Sequence, residues 1–225
     1  VLMSVSVVIF AFNGVEVLDF AGPYEVFTTA ARVFKRSHPT SPEPFKVFTV
    51  ARAGDAVRAR AGLTVLPDYT ILDHPEINLL VIPGGVVSTE LEIPEVSRWI
   101  AKVSRNTKVT ASVCTGSFLL AQAGLLDGRC ATTHWEDIAE MQAMFPTVTV
   151  VEGRRWIDAG AVVTSGGISA GIDMCLHLVE RLINRELALR TARQMDYPWH
   201  EDIDSPSVAD DGLAAHAAST SSRRS

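Results

Sequence analysis

The sequence predicts an α/β fold, a doubly wound and mostly parallel sheet with helices on both faces, and three observations carry that prediction. Short continuous apolar runs such as Val5 to Phe10 and Leu79-Leu80-Val81-Ile82 have the length of strands and no polar alternation, as expected for strands covered on both sides. The runs lead into turns bearing glycine or proline, and helical spacing of apolar residues follows. The resulting alternation of strand and helix along the chain is what builds a parallel sheet.

Composition bounds the function classes. The 225 residues suffice for one substantial core, and no internal repeat is visible. We expect one domain over 1–199 and a polar tail over 200–225 rich in Ser, Ala and Asp, either mobile or strapped over a partner subunit. With 47% hydrophobic and 20% charged residues and a mean hydropathy of +0.19, the chain is apolar enough that burial of some surface in an oligomer is expected. A net charge of -6 and a pI near 5.5 argue against nucleic acid as the main partner. Three cysteines without a CxxC pair suggest a reducing compartment, the cytoplasm by default.

The apolar stretch from Val1 to Phe12 lacks the basic flank and small-residue cleavage site of a signal peptide, so no membrane role is expected. A chain opening on Val1 is either trimmed or begun at an unusual start, with Met3 a candidate beginning. Val5 to Phe10 reads as the first central strand, ended by the turn signal Asn13-Gly14. Asp19 falls in the loop that follows, and Pro23 suits the first turn of a helix. Tyr24, Phe27, Ala31 and Phe34 form that helix's core stripe. Ser37 to Pro44 is a loop, Phe45 to Ala51 a second strand, and Arg58 to Leu66 a small β excursion around Gly62. Leu79 to Ile82 ends in Pro83-Gly84-Gly85, where glycines let backbone N–H groups approach a ligand, although ordinary turns use the same residues. Pro94 to Arg105 is an amphipathic helix.

Lys108 to Ser112 is a buried strand, and Thr115-Gly116-Ser117 opens a helix that runs to Ala123 and stops at Gly124. Cys114 therefore stands on a sharp strand-to-helix elbow, held against the positive end of a helix, where a thiol should ionise more readily than a free one. Either it is a nucleophile or it is a small buried residue. Asp19 is either a helix N-terminal charge or, on the same carboxyl edge of the sheet, a partner of Cys114.

Beyond the elbow, a short strand around Cys130-Ala131 precedes Thr132-Thr133-His134-Trp135, a helix over Glu136 to Met144 and a strand over Thr147 to Val151. Arg155 to Asp158 and Ala161 to Thr164 form a hairpin around Ala159-Gly160. Ser165-Gly166-Gly167-Ile168-Ser169 is another strand-to-helix joint, followed by a helix to about Ile183 and a last helix over Glu186 to Met195. Cys130 and Cys175 read as core, and His177 as a satisfied helix histidine. No group of residues has metal-ligand spacing, so no metal is expected.

The combination Leu18-Asp19-Phe20-Ala21-Gly22-Pro23, Ile82-Pro83-Gly84-Gly85, Ser112-Val113-Cys114-Thr115-Gly116-Ser117, Ala131-Thr132-Thr133-His134-Trp135 and Gly166-Gly167-Ile168-Ser169-Ala170-Gly171-Ile172-Asp173 resembles the ThiJ/PfpI superfamily, and within it the isocyanide hydratase group. The resemblance runs in order from about Val5 to Trp199. It implies a flavodoxin-like fold and a homodimer acting on a small-molecule substrate without a cofactor. Cys114 would be the nucleophile, Asp19 its acidic partner, and the backbone N–H groups of Gly85 and Thr115, beside Gly84, the anion-stabilising pocket. His134 is a further candidate base in a motif that also has a structural explanation. Peptidases of the superfamily carry a histidine directly after the cysteine, where this chain has Thr115, so peptidase activity is not expected. Two alternatives remain at this point. One is a thiol sensor of oxidants; the other is a ligand-sensing domain like those of AraC-type regulators, although the stretch after Met195 is too short and too little basic for DNA-reading helices.

Overall fold

A computed structural model describes residues 3–201, so most of the expected tail and the first two residues lie outside the described residues. In chain order the elements begin with β1 (Val5–Phe10), α1 (Val17–Ser37), β2 (Phe45–Ala51), β3 (Val57–Arg58), β4 (Thr64–Val65), β5 (Tyr69–Thr70) and β6 (Leu79–Ile82). Next come α2 (Ser88–Leu91), α3 (Pro94–Ser104), β7 (Val109–Val113), α4 (Gly116–Gln122), β8 (Cys130–Ala131), α5 (Ile138–Met144) and β9 (Thr149–Val150). The last are β10 (Trp156–Asp158), β11 (Val162–Ser165), α6 (Ala170–Leu182) and α7 (Arg185–Gln194).

Seven strands form one sheet in the order β10-β11-β7-β6-β1-β2-β5. Only the β10–β11 pair is antiparallel; every other neighbouring pair in this sheet is parallel. The central strands explain why: β6, β7 and β11 are buried at every residue, and β1 at all but Ser6, so both faces must be covered by helices. Register follows, with Leu79 to Ile82 opposite Val109 to Ser112 and Val162 to Ser165 opposite Thr110 to Val113. The doubly wound class expected from the sequence is thus the one observed.

The sheet order places the site. β11, β7, β6 and β1 are adjacent and parallel, so the loops after all four open on one edge. The chain leaves β1 for β2 on one side and returns to β6 on the other, which makes the crevice between β1 and β6 a switch point where ligands gather in open sheets.

Some local expectations change. α1 starts at Val17, so Asp19 lies in its first turn rather than in the loop, and Pro23 falls inside the helix. An internal proline is tolerated there at the cost of a donor to the Asp19 carbonyl one turn back. Tyr24 is exposed, not core: the inward face is Phe20, Pro23, Phe27 and Ala30, and Tyr24 sits at its rim. Cys130 is also exposed, because β8 pairs only with β9 in a two-stranded ribbon and turns Ala131 inward and Cys130 outward. The strand expected over Thr147 to Val151 shrinks to Thr149–Val150. Cys175 is buried as expected, and His177 is satisfied, its Nε2 2.8 Å from Asp158 Oδ2 and its ring stacked on Trp156.

Candidate active site

Cys114 follows β7 directly and has φ +56, a left-handed conformation that a non-glycine residue rarely adopts. Hydrogen bonds hold it there. Its N–H is shared between the carbonyls of Ser165 and Gly166, each at 3.2 Å. Its carbonyl accepts from Ser117 Oγ at 3.0 Å and Thr133 Oγ1 at 3.1 Å. The loop after β11, the first turn of α4 and the segment after β8 thus fix the elbow together.

Asp19 approaches from α1. Its side chain is fully buried, and Gly84 N–H donates to its Oδ2 at 3.2 Å. The Cys114 thiol and the Ile168 N–H also favour the carboxylate, yet Oδ1 has no well-formed hydrogen bond among the described residues. Burial outweighs these donors and pushes the Asp19 carboxyl up from 3.8 to about 6, with Glu16 adding to the rise. Gly84 makes the approach sterically feasible: a Cβ there would lie 2.6 Å from Thr115 N and 2.8 Å from Asp19 Oδ2.

The thiol reverses the sequence expectation. Cys114 is only 7% exposed, and its thiol is pushed up to about 12, first by burial and then by the Asp19 charge. The Thr115 N–H and hydroxyl favour the thiolate but do not overcome those two effects. Near neutral pH the pair therefore holds one proton, on sulfur, with an ionised carboxylate beside it.

Gly85 and Thr115 meet across the site. Gly85 N–H donates to Thr115 Oγ1 at 2.9 Å, and that hydroxyl donates back to the Gly85 carbonyl at 3.0 Å, so the Gly85 amide is engaged rather than open. His134 precedes a short 3₁₀ turn, Trp135–Asp137. Its Nδ1 accepts from Glu136 N–H at 3.4 Å and lies 3.4 Å from Asp137 Oδ2. The ring covers Gly167, whose missing Cβ would sit 2.1 Å from His134 Cδ2. The result is a cavity of about 270 Å³ lined by Cys114, Thr115, Gly85, His134, Glu16 and Ile168 among others. Ile168, a β-branched residue at φ +50, forms part of its wall. The sequence assigned no site role to Ser117, Thr133, Glu16, Arg60 or Ile168; a signal existed only for Ser117, Thr133 and Ile168, which stand in the quoted motifs.

Among the described residues, no three His, Cys, Asp or Glu side chains converge as metal ligands, and no helix is long and apolar enough to cross a membrane. What the arrangement can do is move the Cys114 proton to Asp19 as sulfur attacks an electrophile in the cavity, and return it afterwards.

The sequence profile of the DJ-1/PfpI family matches residues 5–181. The chain is 30% identical over 207 residues to the isonitrile hydratase of Pseudomonas putida, an alignment covering 91% of this chain and 84% of that protein. It is 34% identical over 155 residues to the HTH-type transcriptional regulator GbdR of Pseudomonas aeruginosa, covering 69% of this chain and 42% of that protein. Among solved structures, a ThiJ/PfpI family protein from Pseudomonas syringae superposes with a TM-score of 0.76 at 25% identity, over 92% of this chain and 80% of that one.

Proposed function

The chain belongs to the DJ-1/PfpI family, and from that premise we propose that it is a cysteine-dependent hydro-lyase that adds water to an isocyanide, giving an N-substituted formamide. The observation that carries the proposal is the Cys114–Asp19 pair: a strained, clamped thiol beside a buried carboxylate near pKa 6. Likeness to the Pseudomonas putida isonitrile hydratase over 91% of the chain supports the choice of electrophile.

The steps balance without a cofactor. Cys114 sulfur forms a bond to the terminal isocyanide carbon while its proton passes to Asp19 and on to that carbon, giving a thioimidate. Water adds to the thioimidate carbon, its proton going through Asp19 to nitrogen. The C–S bond then breaks, the hydroxyl proton returns to sulfur, and the formamide leaves. Thr115 N–H, placed at the sulfur, supports the developing charge. His134 covers Gly167 and shapes the cavity, with a proton-transfer role held second to Asp19.

We place the enzyme in the cytoplasm as a homodimer. Free thiols at Cys114, Cys130 and Cys175 support a reducing compartment. Tyr24 on α1 and Leu66 after β4, 39% and 73% exposed, line one hollow with Phe20 and Val65, an apolar patch suited to a second copy.

The test is loss of the isocyanide infrared stretch with formamide seen by NMR, wild type beside Cys114→Ala. Many turnovers by wild type alone support the proposal; no turnover by either rejects it. A ligand-sensing role, favoured by the 34% identity to GbdR, predicts instead one ligand bound per chain and no product.

A further inference from the structure

The Cys114 cavity abuts a second hollow of about 390 Å³, the two sharing Gly85, Val86, Thr115 and Asp137 in their walls. The floor of the second hollow is apolar: Val87, Leu91 and Phe118, with Val86 and Met144 left 50% and 49% exposed. Its rim is acidic, carrying Glu92 and Glu140 together with Asp137, and no Lys or Arg lines it.

Charge around the first cavity has the same sign. Glu16, Glu136 and Asp137 line it against one cation, Arg60, whose Nη1 is already 3.2 Å from Glu16 Oε2. Among the described residues no Lys or Arg pairs with Glu92, Glu136, Asp137 or Glu140. Side chains of one sign around a cleft with apolar walls focus the potential inward and select the approaching ligand by charge.

We propose that the substrate is an elongated, cation-bearing molecule: its electrophilic end at Cys114, an apolar arm along Val86, Leu91, Phe118 and Met144, and its positive end between Glu92 and Glu140. Anionic analogues of equal length are rejected by the same rim. The inference rests on Cys114 as the attacking group, but not on the electrophile being an isocyanide.

Two methanethiosulfonate reagents, one ending in ethyltrimethylammonium and one in ethylsulfonate, test this directly, because both convert the thiol to a mixed disulfide and differ in charge. Rates at Cys114 are read by intact mass in a Cys130→Ser background, since Cys130 is exposed, and divided by rates with 2-mercaptoethanol. The expected result is a cation preference of about 10-fold at low salt, shrinking at high salt and falling to within about 3-fold in Glu92→Gln/Glu140→Gln. A ratio near one, or one unchanged by both salt and the double substitution, overturns the proposal. Pentyl isocyanide and its ω-trimethylammonium and ω-carboxylate analogues separate the two claims. If none is consumed while the thiosulfonate preference holds, the isocyanide assignment fails and the charge selection stands. If all three are consumed with equal kcat/KM, the charge selection fails and the hydratase assignment stands.

Discussion

Replacing Asp19 with Asn should abolish activity and yet remove a burden on the fold at neutral pH. The native carboxyl sits near 6 against 3.8 without burial. Between those values the folded state binds more protons at this site than the unfolded state, so its contribution to stability is fully present below about pH 4 and is lost as pH rises through about 6. A displacement of that size is worth about 3 kcal/mol in full, of which about 2 kcal/mol falls between pH 4.5 and 7. Asn cannot ionise, so the stability difference between Asp19→Asn and wild type should grow by that amount over the interval. The new amide N–H adds a constant offset, because Oδ1 has no well-formed partner to exchange, but a constant drops out of the pH dependence. Carboxyls held low elsewhere, such as Asp158 beside His177 and Arg181, act equally in both proteins and cancel.

Urea unfolding at a series of pH values measures this. With a slope of about 2 kcal/mol per molar, the midpoint of Asp19→Asn relative to wild type should move up by about 1 M between pH 4.5 and 7. A difference flat to within about 0.5 kcal/mol would refute the buried, ionised carboxylate, and with it the proton shuttle. A difference of opposite sign would mean that the α1 N-terminus and the Gly84 amide outweigh burial.

Other consequences are more direct. The value of kcat/KM for an isocyanide should rise with pH through about 6 and stay level to at least pH 9, since Asp19 must be ionised while the thiol stays protonated up to about 12. A rise near the ordinary thiol value would assign catalysis to a free thiolate. Gly84→Ala should lower activity by about 100-fold and stability by about 1–3 kcal/mol in thermal or urea unfolding, because its Cβ would press on both Thr115 and Asp19. Thr133→Val should cost about 1 kcal/mol of stability, and a double-mutant cycle with Ser117→Ala should show coupling, since both hydroxyls serve the Cys114 carbonyl. Leu66→Arg should shift the mass seen by light scattering from dimer to monomer if the Tyr24–Leu66 patch is the interface.

Much of the fold was legible because it rests on one-dimensional signals. Leu79–Ile82 ends where its apolar run ends, since a strand covered on both faces advertises itself by composition alone; Val5–Phe10 and Phe45–Ala51 also keep their expected bounds, fixed by the turn signals that follow or precede them. Pro23 misled for a local reason: proline favours the first helical turn, but packing of the Phe20, Pro23 and Phe27 face extends α1 backward to Val17 in spite of it. Cys130 misled because a two-residue strand has no period from which to read the inward side. At the site, the identity of the elbow residue was visible and its electrostatics were not. The helix-end argument for an acidic thiol uses one neighbouring element, whereas the observed shift comes from burial by several and from the charge brought by α1, 95 residues earlier in the chain.

That mismatch bears on what kind of cysteine this is. A thiolate kept free by a helix end would react with any oxidant that reached it, and its reactivity would be set by exposure. Cys114 has the opposite setting: a protonated thiol, nearly buried, beside a carboxylate whose own ionisation is disfavoured by the same burial. The thiol's hydrogen bond favours the Asp19 carboxylate while that carboxylate's charge disfavours the Cys114 thiolate, so the proton rests on sulfur beside the group that would accept it. Such a pair is poorly suited to idle oxidation and well suited to a reaction in which a proton leaves sulfur at the start and returns at the end. Hydration of an isocyanide has that form, because the carbon that sulfur attacks must itself gain a proton.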